Sequence, residues 1–404
     1  MSSDWAIALL GALIIGWSVV GVVTAPGRLG TSAMLALAAG VVLTASSIGA
    51  LSTSLGQHVI TPGIALTFIG ISLGYWTAAV WLSSLGRHSD RLHAARSQTT
   101  RQLAPPSILL VNCAPPATYS PRSEAIIHRM LRDDESAPSA TVAFPLTLLS
   151  QRTRFRSAGA MLTSAPSVTS LAGALQDSLV LAGSTAIVVA ADCVAAPLLA
   201  KVASDARDSG TTTMRAVMLQ PENDPVARYA HRLADSTRAQ GGPLLDFAPS
   251  IWRDDRLAER LRERVIEACQ DTPLADVGVI LALEGHLAVY PSATDDDAGQ
   301  YFAQRVRLFL SRYGLQEAHV RIAWIREQTP DVTEAVRHIA ALGCERIVIA
   351  PATAVLPTLQ TTLDLNAAVT HARLDPNGPE AVVLEPWGSD PGLIDALTRA
   401  VLGS

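Results

Sequence analysis

The first 86 residues of this 404-residue chain almost lack charge: of 31 Lys and Arg and 36 Asp and Glu in the whole, only Asp4 and Arg28 fall there. So long an uncharged stretch is excluded as an ordinary soluble domain, in which about a quarter of residues are charged. A positive surplus is missing too. The net charge of -5 and a pI near 6.0 leave no global basic surface and argue against nucleic-acid binding. The four cysteines, Cys113, Cys193, Cys269 and Cys344, have neither CxxC nor Cys/His spacing, so neither a zinc site nor a disulfide framework is expected. The opening residues MSSDW lack the basic segment of a secretory signal.

What is present divides the chain by material. Three apolar stretches, Trp5 to Thr24, Thr31 to Thr53 and Pro62 to Ser84, each reach the roughly 20 residues that span a bilayer as a helix. Arg28 lies in the first connection, none of the four charged residue types lies in the second, and Arg87, Arg91, Arg96 and Arg101 follow the third. The positive-inside rule then predicts a multi-pass protein of the plasma (inner) membrane, with the N-terminus outside and the C-terminal part in the cytoplasm. Small residues at four-residue spacing, such as Ala8, Ala12 and Gly16, suit close helix packing in lipid. With no charged residue inside a span, the bundle reads as an anchor or docking element rather than a transport path.

Residues 87–106 read as a basic linker ending in Pro-Pro. Beyond it, apolar runs alternate with amphipathic helical patterns, which predicts an α/β fold with parallel sheets. The expected strands are Ser107 to Asn112, Thr141 to Phe144, Thr185 to Ala190, Met214 to Leu219, Val277 to Leu283, Val320 to Trp324, Arg346 to Ala350 and Ala381 to Leu384. They read as one pattern used twice. ILLVN near residue 108 matches VGVILAL, AIVVAAD at 186 matches RIVIAPA at 346, and APSIWRDDRLAERL matches LEPWGSDPGLIDAL. The expected organisation is a three-helix membrane anchor (1–86), the linker (87–106), and two similar halves (107–270 and 271–404) facing a shared cleft. In open parallel sheets ligands sit outside the carboxyl ends of strands. That singles out Asn112, Cys113 and Pro116 after one strand, Asp192 after another, and Glu284, His286 and Tyr290 after a third.

The order of these segments resembles the ferrochelatase-like, ATP-independent chelatase superfamily over about residues 107–404. ILLVNCAPP is similar to its opening V-N-x-G-x-P type run, and LALEGHLAVYP to its S-x-H-x-x-P segment. APSIWRDDRLAERLRERV resembles the Y-H-D-H-P-x-[FY]-I-x-A-L helix entry, and LEPWGSDPGLIDALTRAV the C-terminal L-N-x-x-P-x-[FL]-I-x-A-L ending. Sirohydrochlorin chelatases share the same repeat. The resemblance implies two doubly wound, chelatase-like halves and insertion of Fe²⁺, or another divalent metal, into a porphyrin or related tetrapyrrole. The metal is then a substrate, a haem or porphyrin the expected ligand, and no cofactor is required. Membrane haem proteins are candidate recipients of the product.

His286 stands at the metal-inserting position, where neutral imidazole suits both metal binding and proton acceptance. The helix that carries the family's second metal-site residue, a glutamate, here reads Leu356-Pro357-Thr358-Leu359-Gln360. Gln360 takes the glutamate's place and Thr358 that of a frequent histidine. Glu284 either replaces the lost carboxylate or points away on the alternate strand face. Asn112, Cys113, Pro116, Tyr290 and Asp192 are the expected substrate-binding residues. Cys113 matches a tyrosine that contacts metal in the coproporphyrin-using branch, and reads either as a thiolate ligand or as a small buried residue. Asp295, Asp296 and Asp297 read as a capped first helical turn or as a gathering point for Fe²⁺. The altered residues leave a second expectation open, a catalytically degenerate relative that binds or delivers haem or metal, or acts as a membrane assembly subunit.

Overall fold

In a computed structural model of the protein the described residues are 14–15, 107–114, 123, 153–158, 167–221, 225–284, 298–325, 329–372, 374 and 378–403. The chain divides into two compact units, Met1–Ala95 with Tyr119–Arg156 and Arg96–Thr118 with Ser157–Ser404. Nearly every described residue belongs to the second. The three expected spans lie outside the described residues apart from Ile14 and Ile15. Among the described residues no helix is long and apolar enough to cross a membrane.

The second unit contains two four-stranded parallel sheets. The first is built from β1 (Ile108–Asn112), β2 (Val188–Asp192), β3 (Thr213–Met218) and β4 (Leu244–Phe247), in the order β2-β1-β3-β4. The second holds β5 (Val277–Leu283), β6 (Val320–Trp324), β7 (Arg346–Pro351) and β8 (Glu380–Val383), in the matching order β6-β5-β7-β8. The helices between them are α1 (Val168–Leu181), α2 (Leu199–Asp208), α3 (Pro225–Ala239), α4 (Asp255–Cys269), α5 (Ala298–Tyr313), α6 (Val332–Ala341), α7 (Leu365–Ala372) and α8 (Pro391–Leu402). β1, β5 and β7 are buried along their whole length, as strands covered on both faces must be.

The duplication is present, with a different alignment of strands. Val188–Asp192 lies beside β1 on the side away from β3, and therefore corresponds to β6. The partner of Arg346–Pro351 is β3, so the expected match between residues near 186 and 346 is one strand out of step. Both segments are short apolar runs, and hydrophobic pattern cannot distinguish a central strand from its neighbour. Leu244–Phe247, LLDF, is an additional edge strand that the pattern missed because Asp246 interrupts its short apolar run. The expected strand at Thr141 to Phe144 lies outside the described residues.

Corresponding hydrogen bonds fix the equivalence. The Leu219 N–H donates to Val111 O (3.0 Å) as Ala352 N–H does to Ala282 O (2.8 Å). Likewise the Cys193 N–H donates to Asn112 O and the Ile325 N–H to Leu283 O, both at 2.9 Å. The indole of Trp252 donates to Leu219 O at 2.9 Å, and that of Trp387 to Ala352 O at 2.8 Å. These two tryptophans meet Phe302 of α5 in one aromatic cluster, with centroids 5.2 to 6.5 Å apart.

The helices exchange charges in a reciprocal way. Asp254 caps α4 by accepting from Arg256 N and pairs with Arg399 of α8. Asp390 caps α8 by accepting from Gly392 N and pairs with Arg260 of α4. A carboxylate at each helix N-terminus is favoured by the helix dipole, and the partner's guanidinium joins the two helices.

Candidate functional site

Because both sheets are parallel, each releases its chain at the carboxyl edge, and these edges border one pocket. It encloses about 580 Å³, part of it open to solvent. The first sheet contributes Ala114, Gln220 and Pro221; the second contributes Leu283, Glu284, Trp324 and the run Thr353 to Leu356, with Thr358. Gly299 of α5 completes the lining.

The equivalence of the halves makes Cys113 the counterpart of Glu284, Asp192 that of Trp324, and Gln220 that of Thr353. The edges have therefore acquired different chemistry. In the second half Glu284 lies in the pocket wall, and its Oε1 accepts from the Thr358 hydroxyl at 3.2 Å. Glu284 therefore faces the pocket. The chain passes from Glu284 through Gly285 to His286; His286, Tyr290, Pro116 and the acidic run Asp295 to Asp297 lie outside the described residues.

In the first half the expected residues form a buried layer behind the wall. Asn112 donates from Nδ2 to Asp192 Oδ2, and Gln220 Nε2 donates to Asn112 Oδ1 at 3.0 Å. The Cys113 N–H in turn donates to Gln220 Oε1 at 2.8 Å. Of this network only Gln220 reaches the pocket; Asn112 and Asp192 are each 4% exposed. Burial raises the Asp192 carboxyl to about 6, against the opposing pull of the Val194 and Ala195 N–H groups and the Asn112 amide.

The cysteines require a correction. Cys113 and Cys193 form a disulfide, with Cα atoms 4.9 Å apart. Asn112 and Asp192 are register partners on neighbouring strands, so the next residue of each strand arrives opposite the other. Eighty residues of sequence conceal this pairing from any spacing rule. So bonded, Cys113 has no thiolate to offer iron. Cys269 and Cys344 are free and buried, and burial raises both thiols.

Gln360 opens a π-helical stretch, Gln360–Asp364, and is not among the residues lining the pocket. Its Oε1 is buried without a hydrogen-bond partner. The described residues contain no group of three or more His, Cys, Asp or Glu able to hold a metal. Gln220 escaped the sequence reading although it lies after β3 at the position equivalent to Thr353 after β7. Aligning the repeat in the correct step would have exposed it.

Residues 293–403 match the family model CbiX. No curated protein sequence matches the chain. Among solved structures, the chain is similar to CbiX, the terminal enzyme for biosynthesis of siroheme in denitrifying bacteria, at 17% identity and a TM-score of 0.46, covering 74% of this chain and 99% of that one. It is also similar to SirB from Bacillus subtilis with Fe³⁺, at 14% identity and a TM-score of 0.43, over 58% of this chain and 88% of that one. For the sirohydrochlorin chelatase SirB from Bacillus subtilis subspecies spizizenii, in complex with cobalt, the identity is 12% and the TM-score 0.41 over the same shares.

Proposed function

We propose that the protein is a metal chelatase, inserting a divalent metal ion into a tetrapyrrole held at the carboxyl edges of the two sheets. The observation that carries this reading is the placement of Glu284 in the wall of the shared pocket, two positions before His286. The CbiX match over residues 293–403 supports it independently. Metal insertion exchanges two pyrrole N–H protons for M²⁺, so the site needs a proton acceptor and a group that offsets cationic charge. The imidazole of His286 suits the first task and the Glu284 carboxylate the second. Gln220, Thr353 and Trp324 would orient the ring.

The assay is direct. Protein supplied with Fe²⁺ or Co²⁺ and either sirohydrochlorin or a porphyrin is expected to give the metallated spectrum, and His286→Ala to lower kcat at least about 100-fold, as loss of an acid–base group does. Wild-type protein that turns over none of these pairs refutes the enzyme reading.

A second reading is favoured by Gln360 and by the Cys113–Cys193 bond, which replace an anionic side chain and a free thiol with neutral groups. In it the same pocket binds haem or metal for delivery. A Soret shift on adding haem, without turnover, supports that alternative. In either case the uncharged first 86 residues would hold the protein at the inner membrane, where amphipathic tetrapyrroles partition and membrane haem proteins receive them.

A further inference from the structure

Backbone N–H groups decide how the polar layer behind the pocket wall is oriented, because a main-chain N–H can only donate. Those of Val194 and Ala195 end on Asp192 Oδ1, at 2.7 and 2.8 Å, which leaves Asp192 Oδ2 to Asn112. The Ala114 N–H ends on Asn112 Oδ1 at 3.3 Å, which turns the Asn112 nitrogen to Asp192. The Cys113 N–H ends on Gln220 Oε1, which turns the Gln220 nitrogen to Asn112 Oδ1. Each amide is thus assigned by its own backbone donor, and the assignments agree. One proton of the layer is left over: the second Nε2 proton of Gln220 has no partner among the described residues. Gln220 is also the one of these three side chains that stands in the pocket wall.

We propose that Gln220 donates to a carboxylate arm of the bound tetrapyrrole, and that Asn112 and Asp192 are positioning residues that hold its amide in the donating orientation. This rests on the chelatase reading and deepens it, because it turns an acidic side of the ring to the first sheet. The second sheet's edge carries Glu284, which disfavours another negative charge beside it. Asp192 acts through a single atom. In Asp192→Asn the oxygen stays on the Val194 and Ala195 N–H groups, so the new nitrogen meets the Asn112 nitrogen. Turning Asn112 over sends its nitrogen against the Ala114 N–H and Gln220; turning Gln220 over as well sends its nitrogen against the Cys113 N–H. Either a bond of the chain breaks or the Gln220 amide turns. Exchanging the two residues, Asn112→Asp with Asp192→Asn, matches every donor to an acceptor again.

The test reads binding of metal-free sirohydrochlorin and coproporphyrin, two tetrapyrroles with carboxylate arms, to the full chain by optical titration. A chelator and pH 8 keep metal and turnover out of the measurement, and Asp192, raised by burial to about 6, is ionised there. Wild type is expected to bind at least one of the two, and the tighter is followed. Gln220→Met should raise Kd roughly ten-fold, the size of one hydrogen bond to a charged group, and Gln220→Glu, which sets a like charge against the arm, should raise it further. Asp192→Asn should raise Kd at least about three-fold, and Asn112→Asp in that background should return it to within about two-fold of wild type. Gly278→Ala crowds Ile339 at the far end of β5 and should leave Kd unchanged, which separates positioning from loss of stability. Tighter binding by Gln220→Glu, no effect of Gln220→Met or Asp192→Asn, equal weakening by Gly278→Ala and Asp192→Asn, failure of the exchanged pair to restore Kd, or no binding of either tetrapyrrole by wild type overturns the proposal. Metallation by wild type with Kd unmoved by these substitutions overturns the role of Gln220 and leaves the chelatase reading standing. Binding that follows the expected pattern without metallation of any tetrapyrrole counts against the chelatase reading and leaves the role of Gln220 standing.

Discussion

Asp192 shows how one position can carry a clear chemical signal and yet stand behind the site. Its type and its place after a strand made it a candidate, but the fold turns its carboxyl into the interior, on two backbone N–H groups and Asn112. A carboxyl raised from 3.8 to about 6 holds its proton more tightly folded than unfolded. Its contribution to stability is therefore fully present below about pH 4 and lost as pH rises through about 6. The span is worth at most about 3 kcal/mol. Asp192→Asn should remove this downward slope from the pH dependence of denaturant unfolding, relative to wild type. Superimposable profiles would show that Asp192 titrates normally. Glu284 is the opposite case: alternation along a strand left its direction open, and only the position of Thr358 across the pocket resolved it.

Several strands were legible at the scale of the element. Val277–Leu283 and Val320–Trp324 have the boundaries their apolar runs indicate. The edge strand Leu244–Phe247 was not, since Asp246 breaks its short apolar run. Helix entries follow local chemistry: Ser167, Asp331 and Asp390 cap α1, α6 and α8 as their residue types favour. One contact between elements yields a sharp prediction. A Cβ on Gly278 of β5 would lie 2.0 Å from Ile339 Cγ2 of α6, and Ile339 is fully buried. Gly278→Ala should destabilise the protein by about 1–3 kcal/mol through overpacking. In a double-mutant cycle with Ile339→Ala, which empties that space, the combined loss should fall at least about 1 kcal/mol short of the sum. Additive losses would mean that the two residues do not compete for the same volume.

Over the whole molecule, the reciprocal pairs Asp254–Arg399 and Asp390–Arg260, with the shared Trp252–Phe302–Trp387 cluster, join two copies of one sheet plan around a common core. The charge asymmetry of the chain bears on where that core resides. We propose that the arginine-rich flanks orient residues 107–404 toward the cytoplasm. In growing cells we expect the chain in the carbonate-resistant membrane fraction. Release of the chain by carbonate would refute the anchor.

Composition and periodicity alone determined the division into an uncharged N-terminal segment and an α/β remainder, the existence of an internal repeat, and the carboxyl strand ends as the places to look. Those properties are local: they depend on charge per residue, on strand and helix period, and on capping types within a few positions. The tertiary structure decided which strands correspond, that Cys113 meets Cys193, and that Glu284 faces Thr358 in a pocket while Asp192 stays behind its wall. Each of these depends on which strands are neighbours, and neighbours in these parallel sheets are separated by crossovers of tens of residues, beyond the reach of any local pattern.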